Sequence, residues 1–218
     1  AMSLYRFLIT DGVWCLAREQ MGYTVPKDNS LMLSLGGRPY IDVQLSFNTF
    51  LPKDIPSTVG HKLVDAWLDR LVDNSHLHDR VEFEVAITVA TFDAQDRLRN
   101  DYPGLLTKDE KQSFIGALER LTHDLLLGRR ASFPNMRDLL SKLVSRRAQY
   151  NSLQDQSPLS LANALLDDCK HLGTLPFAVL ARHGFIAQNF LTSLVKRDVL
   201  SDEEVSVIKT FGTSEPVF

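Results

Sequence analysis

A chain of 218 residues, 44% hydrophobic and 23% charged, is long enough for one large domain or two small ones with a sizeable core, and its composition excludes a disordered or collagen-like polymer. Its net charge of −3 supplies no broad attraction for a phosphate backbone or an anionic lipid surface, so nucleic acid and membranes are not expected partners. The two cysteines, Cys15 and Cys169, lie too far apart in sequence for a metal or redox motif. No apolar run reaches the roughly 18 residues of a membrane span, and a signal-peptide pattern is missing at the N-terminus. A soluble, cytoplasmic protein is expected. The opening Ala1-Met2 reads as the remnant of a removed tag and suggests an excised domain.

Leu4, Phe7, Leu8, Val13, Trp14 and Leu16 recur at helical spacing and predict a helix over 4–21, with Gly22 as its stop. Leu31 to Pro52 then reads as a β-hairpin that opens onto a polar and aromatic loop. Gly36-Gly37 supplies the turn, because both residues adopt positive φ without a Cβ clash. The strands are predicted over 31–35 and 39–45. Tyr40, Asp42 and Gln44 alternate there with Ile41, Val43 and Leu45, giving the second strand a polar face.

From Pro56 onward, Val59, Leu63, Val64, Trp67, Leu68 and Leu71 form the stripe of an amphipathic helix that ends near Asn74. Val81, Phe83, Val85, Ile87 and Val89 fall at period two and predict a strand, a third partner for a hairpin that is marginal alone. After Asp93 the period is helical. Thr107 with Glu110, and Ser201 with Glu204, match the capping box.

Three further stripes follow: Phe114 to Leu125, Met136 to Leu143 and Leu161 to Cys169. Thr174 is expected to cap a fourth helix, apolar nearly all round and so central to a bundle. Residues 151–158 read as a plain loop. These elements predict an α+β, predominantly α-helical fold, in which a small antiparallel sheet packs on a C-terminal helical bundle. The expected division is 1–93, a helix plus sheet subdomain, and 94–218, the bundle.

The chain has no Gly-x-Gly-x-x-Gly, Walker-type or Gly-x-Ser-x-Gly motif, which counts against a self-contained nucleotide enzyme. His76-Leu-His78-Asp79 lacks the third or fourth ligand that zinc requires and reads as a polar turn. Glu82 and Glu84 would share one strand face. They suit acid–base work or an ammonium group, or are simply solvated. Asp167 to His171 reads as a helix end before Gly173, where Lys170 and His171 complement the dipole.

Arg129, Arg130, Arg137, Lys142, Arg146 and Arg147 form a basic stretch without interleaved aromatics, a solvated face or a contact for a neighbouring domain. Arg182 and His183 interrupt the most apolar helix. A buried charge there must be paired or must line a polar cleft.

Several segments carry a family likeness: Leu4-Tyr-Arg-Phe-Leu-Ile-Thr-Asp-Gly-Val-Trp14, Gly22-Tyr23, Arg38-Pro-Tyr-Ile-Asp-Val43, Ser46-Phe-Asn-Thr-Phe-Leu-Pro52, Leu77-His-Asp-Arg-Val-Glu-Phe-Glu84 and Gly173-Thr-Leu-Pro-Phe177. Together they resemble the middle region of phosphoenolpyruvate synthase-like phosphotransferases. Glutamine kinase-like proteins of bacterial capsule loci are the nearer relatives, and rifampin phosphotransferase is a more distant one. In such proteins an ATP-grasp domain binds ATP and Mg, a swivelling domain carries a phosphohistidine, and the segment between them contributes to acceptor binding.

The swivelling-domain motif is Gly-Gly-x-x-Ser-His. Here Ser75-His76 follows Asp73-Asn74, so His76 is not the phosphohistidine. The resemblance therefore implies a domain with no cofactor and no catalytic residue of its own, inactive alone, with ATP and Mg held by other domains of the parent chain. It implies a small-molecule acceptor, with glutamine as the candidate. Polarity and placement nominate Arg38, Tyr40, Asp42, Asn48, Glu82, Glu84 and Arg182 as acceptor-binding residues. The rival expectation is a non-enzymatic helical interaction module whose β-element docks a partner.

Overall fold

The computed structural model describes residues 2–25, 30–150 and 157–211. Its fold is α+β and predominantly helical, with one small antiparallel sheet among the described residues, as the hydrophobic periods predict. The first helical segment is divided. Helix α1 (Met2–Tyr5) runs into a π-helical turn over Arg6–Thr10, and α2 (Val13–Met21) begins only after Gly12, whose φ of 104° no helix accommodates. Gly22, at φ 97°, ends α2 with its amide on the Arg18 carbonyl.

Strands β1 (Met32–Leu35) and β2 (Arg38–Ile41) pair in register, Leu35 opposite Arg38. Gly36 and Gly37 turn the chain with φ of 56° and 75°, the positive values a two-residue turn of this hand needs. The second strand is shorter than its alternation suggests. Asp42 accepts a hydrogen bond from the Leu45 amide and caps α3 (Val43–Asn48), so a side-chain cap ends the strand at Ile41.

Helix α4 (Ser57–Asp73) buries Val59, Leu63, Val64 and Trp67 and ends at Asn74, as its stripe predicts. Trp67 meets Phe47 edge-on at 5.9 Å between ring centroids. This pair anchors a core that continues through Leu98 of α5 (Ala94–Asp101) to Phe114 and Leu118 of α6 (Lys108–Leu126). Thr107 and Glu110 form the predicted capping box of α6, and Ser201 and Glu204 exchange the same bonds ahead of α10 (Asp202–Phe211).

A second core joins Val13, Ala17 and Met21 to Leu121, Leu125, Met136 of α7 (Phe133–Tyr150) and Val179 of α9 (Leu175–Lys196). Both cores draw residues from either side of position 93, the expected subdomain boundary.

The predicted strand over 81–89 does not form. Val81–Val85 is a π-helical turn, and the chain leaves it extended at Ala86 and bends at Val89, with no partner strand among the described residues. Val85 to Val89 is buried on every side between the two cores, so alternation of its side chains creates no solvated face. Side chains take the place of a ladder. Asn189 donates to the Glu82 carbonyl, Arg70 to Glu84, Tyr102 to Val85, Arg97 to Ala86 and Tyr23 to Thr88, while the Ala90 amide donates to Thr122. Buried backbone groups must be paired, and these side-chain bonds add to the local backbone bonds of the turn, such as Ala86 N–H to the Val81 carbonyl.

Helix α8 (Pro158–Asp168), which Ser157 caps, does not stop before Gly173. A π-helical turn over Cys169–Thr174 carries it directly into α9. Lys170 and His171 thus complement no helix end, and Thr174 makes no side-chain cap, its hydroxyl donating instead to the Cys169 carbonyl. Helix α9 buries one stripe and leaves Phe177 and Phe185 exposed, so it is not enclosed on all sides. Of the predicted loop 151–158, residues 151–156 lie outside the described residues.

Candidate functional site

Three charged side chains meet where α2, α9 and the strap converge. Arg18 is in the last turn of α2, Arg182 is midway along α9, and Glu82 is on the π-helical turn. Both guanidinium groups are about 95% buried. Glu82 divides its carboxylate between them, Oε1 accepting from Arg18 Nη2 at 3.1 Å and Oε2 from Arg182 Nη1. Arg18 also donates to the Thr49 hydroxyl and lies 4.3 Å above the Phe50 ring. Arg182 donates to the Tyr23 hydroxyl at 3.2 Å, and that hydroxyl in turn donates a hydrogen bond to the Thr88 carbonyl.

The two arginines respond differently to burial. Loss of water lowers Arg18 to about 10; the Glu82 charge opposes that fall, and the neighbouring Arg182 adds to it. Arg182 experiences the same loss, but Glu82 and Tyr23 together outweigh it and hold the group above its ordinary value.

A cleft of about 210 Å³ opens above this cluster, lined mainly by apolar side chains that include Val13, Trp14, Phe177, Ala181 and Phe185. Phe185 is fixed by an edge contact to Phe83, 5.4 Å between centroids. The charged residues lining the cleft are Arg18, Arg182 and Glu82, leaving one positive charge in excess. A larger groove of about 950 Å³ lies between α5 and α6, but two of its cations, Arg99 and Arg197, are exposed and already bonded to Asp96. Exposed pairs of that kind contribute little, whereas buried charge in a confined cleft is an uncommon arrangement.

Among the residues predicted from sequence, the structure brings Glu82 and Arg182 together and separates the rest. Arg38 and Tyr40 are exposed on β2. Asp42 is the cap of α3, and Asn48 donates to the Gln44 carbonyl within that helix. Glu84 does not share a face with Glu82. It pairs with Arg80, because a π-helical turn rotates successive residues where a strand would align alternate ones.

Sequence reasoning missed Arg18, Tyr23 and Thr49. One signal was present: Arg18 follows Trp14 by four residues in a predicted helix, the spacing that sets its guanidinium 5.1 Å from the indole. Half of the basic stretch is paired, Arg129 and Arg130 with Asp124 and Arg146 with Asp168. Among the described residues no three His, Cys, Asp or Glu side chains converge as a metal-binding group, and no helix is long and apolar enough to cross a membrane.

No protein-family model, curated protein or solved structure matches this chain.

Proposed function

We propose that this chain is an acceptor-binding or linker domain of an ATP-dependent, phosphoenolpyruvate synthase-like phosphotransferase of the dikinase type, working in the cytoplasm. The observation that carries this reading is the cleft above Arg18, Glu82 and Arg182, where a fixed excess of positive charge meets an apolar enclosure. Phosphoryl transfer is catalysed mostly by positioning and electrostatic support, so a domain that holds and orients the acceptor has a defined task without a nucleophile of its own. ATP and Mg belong to an ATP-grasp domain in this scheme, and a phosphohistidine on a swivelling domain delivers the phosphoryl group.

A second reading has its own support. Leu33, Leu35 and Tyr40 are exposed on a hairpin whose outer edges pair with no other strand among the described residues, the surface a helical interaction module would offer to an added strand. The parent reading frame separates the two. ATP-grasp sequence upstream and Gly-Gly-x-x-Ser-His downstream support the phosphotransferase domain, and their absence supports the interaction module. Turnover of ATP by the purified chain alone overturns the first reading.

A further inference from the structure

We propose that the cleft binds a small organic monoanion, a carboxylate whose body is apolar, with the carboxylate on the Arg18–Arg182 pair and the body between α2 and α9. This deepens the acceptor reading and rests on it only in treating the cleft as a ligand site. The first observation is an unmet donor. The Nε of Arg182 has no hydrogen-bond partner among the described residues, in a residue only 4% exposed whose two terminal nitrogens are both engaged, and a ligand reaches it only as that side chain shifts. A guanidinium has five N–H donors in a rigid fork, and a buried donor of a charged group left unpaired is costly.

The second observation is the charge count. Two arginines against Glu82 leave room for one negative charge, and a carboxylate supplies it together with acceptor geometry matched to the fork. A phosphate dianion would overcompensate. The third is the lining. Val13, Trp14, Phe177 and Phe185 offer apolar surface, and Glu82, the carboxylate of the cleft, already accepts from both arginines. No counter-charge is thus free for an ammonium group, which disfavours glutamine and other zwitterions at this position. A volume of about 210 Å³ suits a body no larger than one ring on a short chain.

The test uses the 218-residue chain with 3-phenylpropionate, its neutral amide, glutamine and inorganic phosphate, read by thermal unfolding and by titration calorimetry. At a hundredfold excess over Kd the carboxylate is expected to raise Tm by about 5 °C or more. The amide, glutamine and phosphate should give no comparable rise. Arg182→Gln should weaken 3-phenylpropionate at least tenfold. Because that variant disturbs a buried pair, Ala181→Phe provides an independent check: it fills the cleft from α9, and it should abolish the response in a chain that still unfolds cooperatively.

Equal responses to carboxylate and amide, a stronger response to phosphate or glutamine, no response to any probe, or a response that survives Ala181→Phe would each overturn the proposal. The phosphotransferase reading has its own deciding observations, the flanking sequence and ATP turnover, so its failure is distinguishable from failure of this proposal.

Discussion

The hairpin over 32–41 and the strap over 81–90 carry the same period-two signal, yet one forms paired strands and the other none. In the hairpin, two glycines at positive φ bring the chain back upon itself within four residues, so each strand finds its partner locally. The strap has no such turn. Its neighbours in space are helices, and Ala86, Ile87 and Val89 are buried among them while six side chains, Thr122 included, bond six of its backbone groups. Alternation therefore reports a wish to be buried, and a nearby turn decides whether burial is shared with another strand.

The strap is also tied down by its own buried carboxylate, and the largest loss should come from there. Glu82→Gln removes the sole carboxylate between two buried guanidinium groups, and breaking a buried pair in this way costs about 3–5 kcal/mol. Urea unfolding measures it, and a loss under about 1 kcal/mol would show that the strap does not depend on the cluster. Adding Arg182→Met to Glu82→Gln should recover part of the loss, since one unpaired cation is then removed.

The next effect belongs to Tyr102, whose hydroxyl donates to the Val85 carbonyl at 2.6 Å. Tyr102→Phe leaves that buried carbonyl unpaired at a cost of about 1–3 kcal/mol. Burial pushes the phenol well above its ordinary range, with Arg70 and Arg97 opposing. The folded state thus keeps a proton that the unfolded chain releases near pH 10. The contribution is complete below pH of about 10 and falls as pH rises beyond it, so wild-type stability should decline there and the decline should be shallower in Tyr102→Phe. Identical alkaline slopes would remove Tyr102 from the account.

Helix α4, the capping boxes and the glycine turn were legible because each depends on residues a few positions apart: the stripe of Val59 to Trp67, Thr107 with Glu110, Gly36 with Gly37. The site was legible only in halves. Arg182 stood out as a charge in an apolar helix, but its partners Glu82 and Tyr23 lie 100 and 159 residues away, a separation that no periodicity encodes. The π-helical turn at Arg6–Thr10 escaped because it adds a residue to a turn, which a stripe read at 3.6 absorbs, whereas Val81–Val85 read as a strand by its alternation and Cys169–Thr174 as a helix end by its glycine.

The smallest effect tests the hairpin side of the comparison. A Cβ at Gly37 meets nothing within 4 Å, so Gly37→Ala is resisted only by its φ of 75°, at about 1–2 kcal/mol. Gly36→Asn, at φ 56°, should be close to neutral because asparagine tolerates that conformation. Of the strand residues only Met32 is buried, which ties the hairpin weakly to the cores. Gly37→Ala should accordingly speed amide hydrogen exchange in Met32–Leu35 about tenfold while the urea midpoint of the whole chain stays put. A shift of that midpoint by the full cost would mean that the hairpin unfolds with the cores, and that its local turn is less independent of them than its exposure implies.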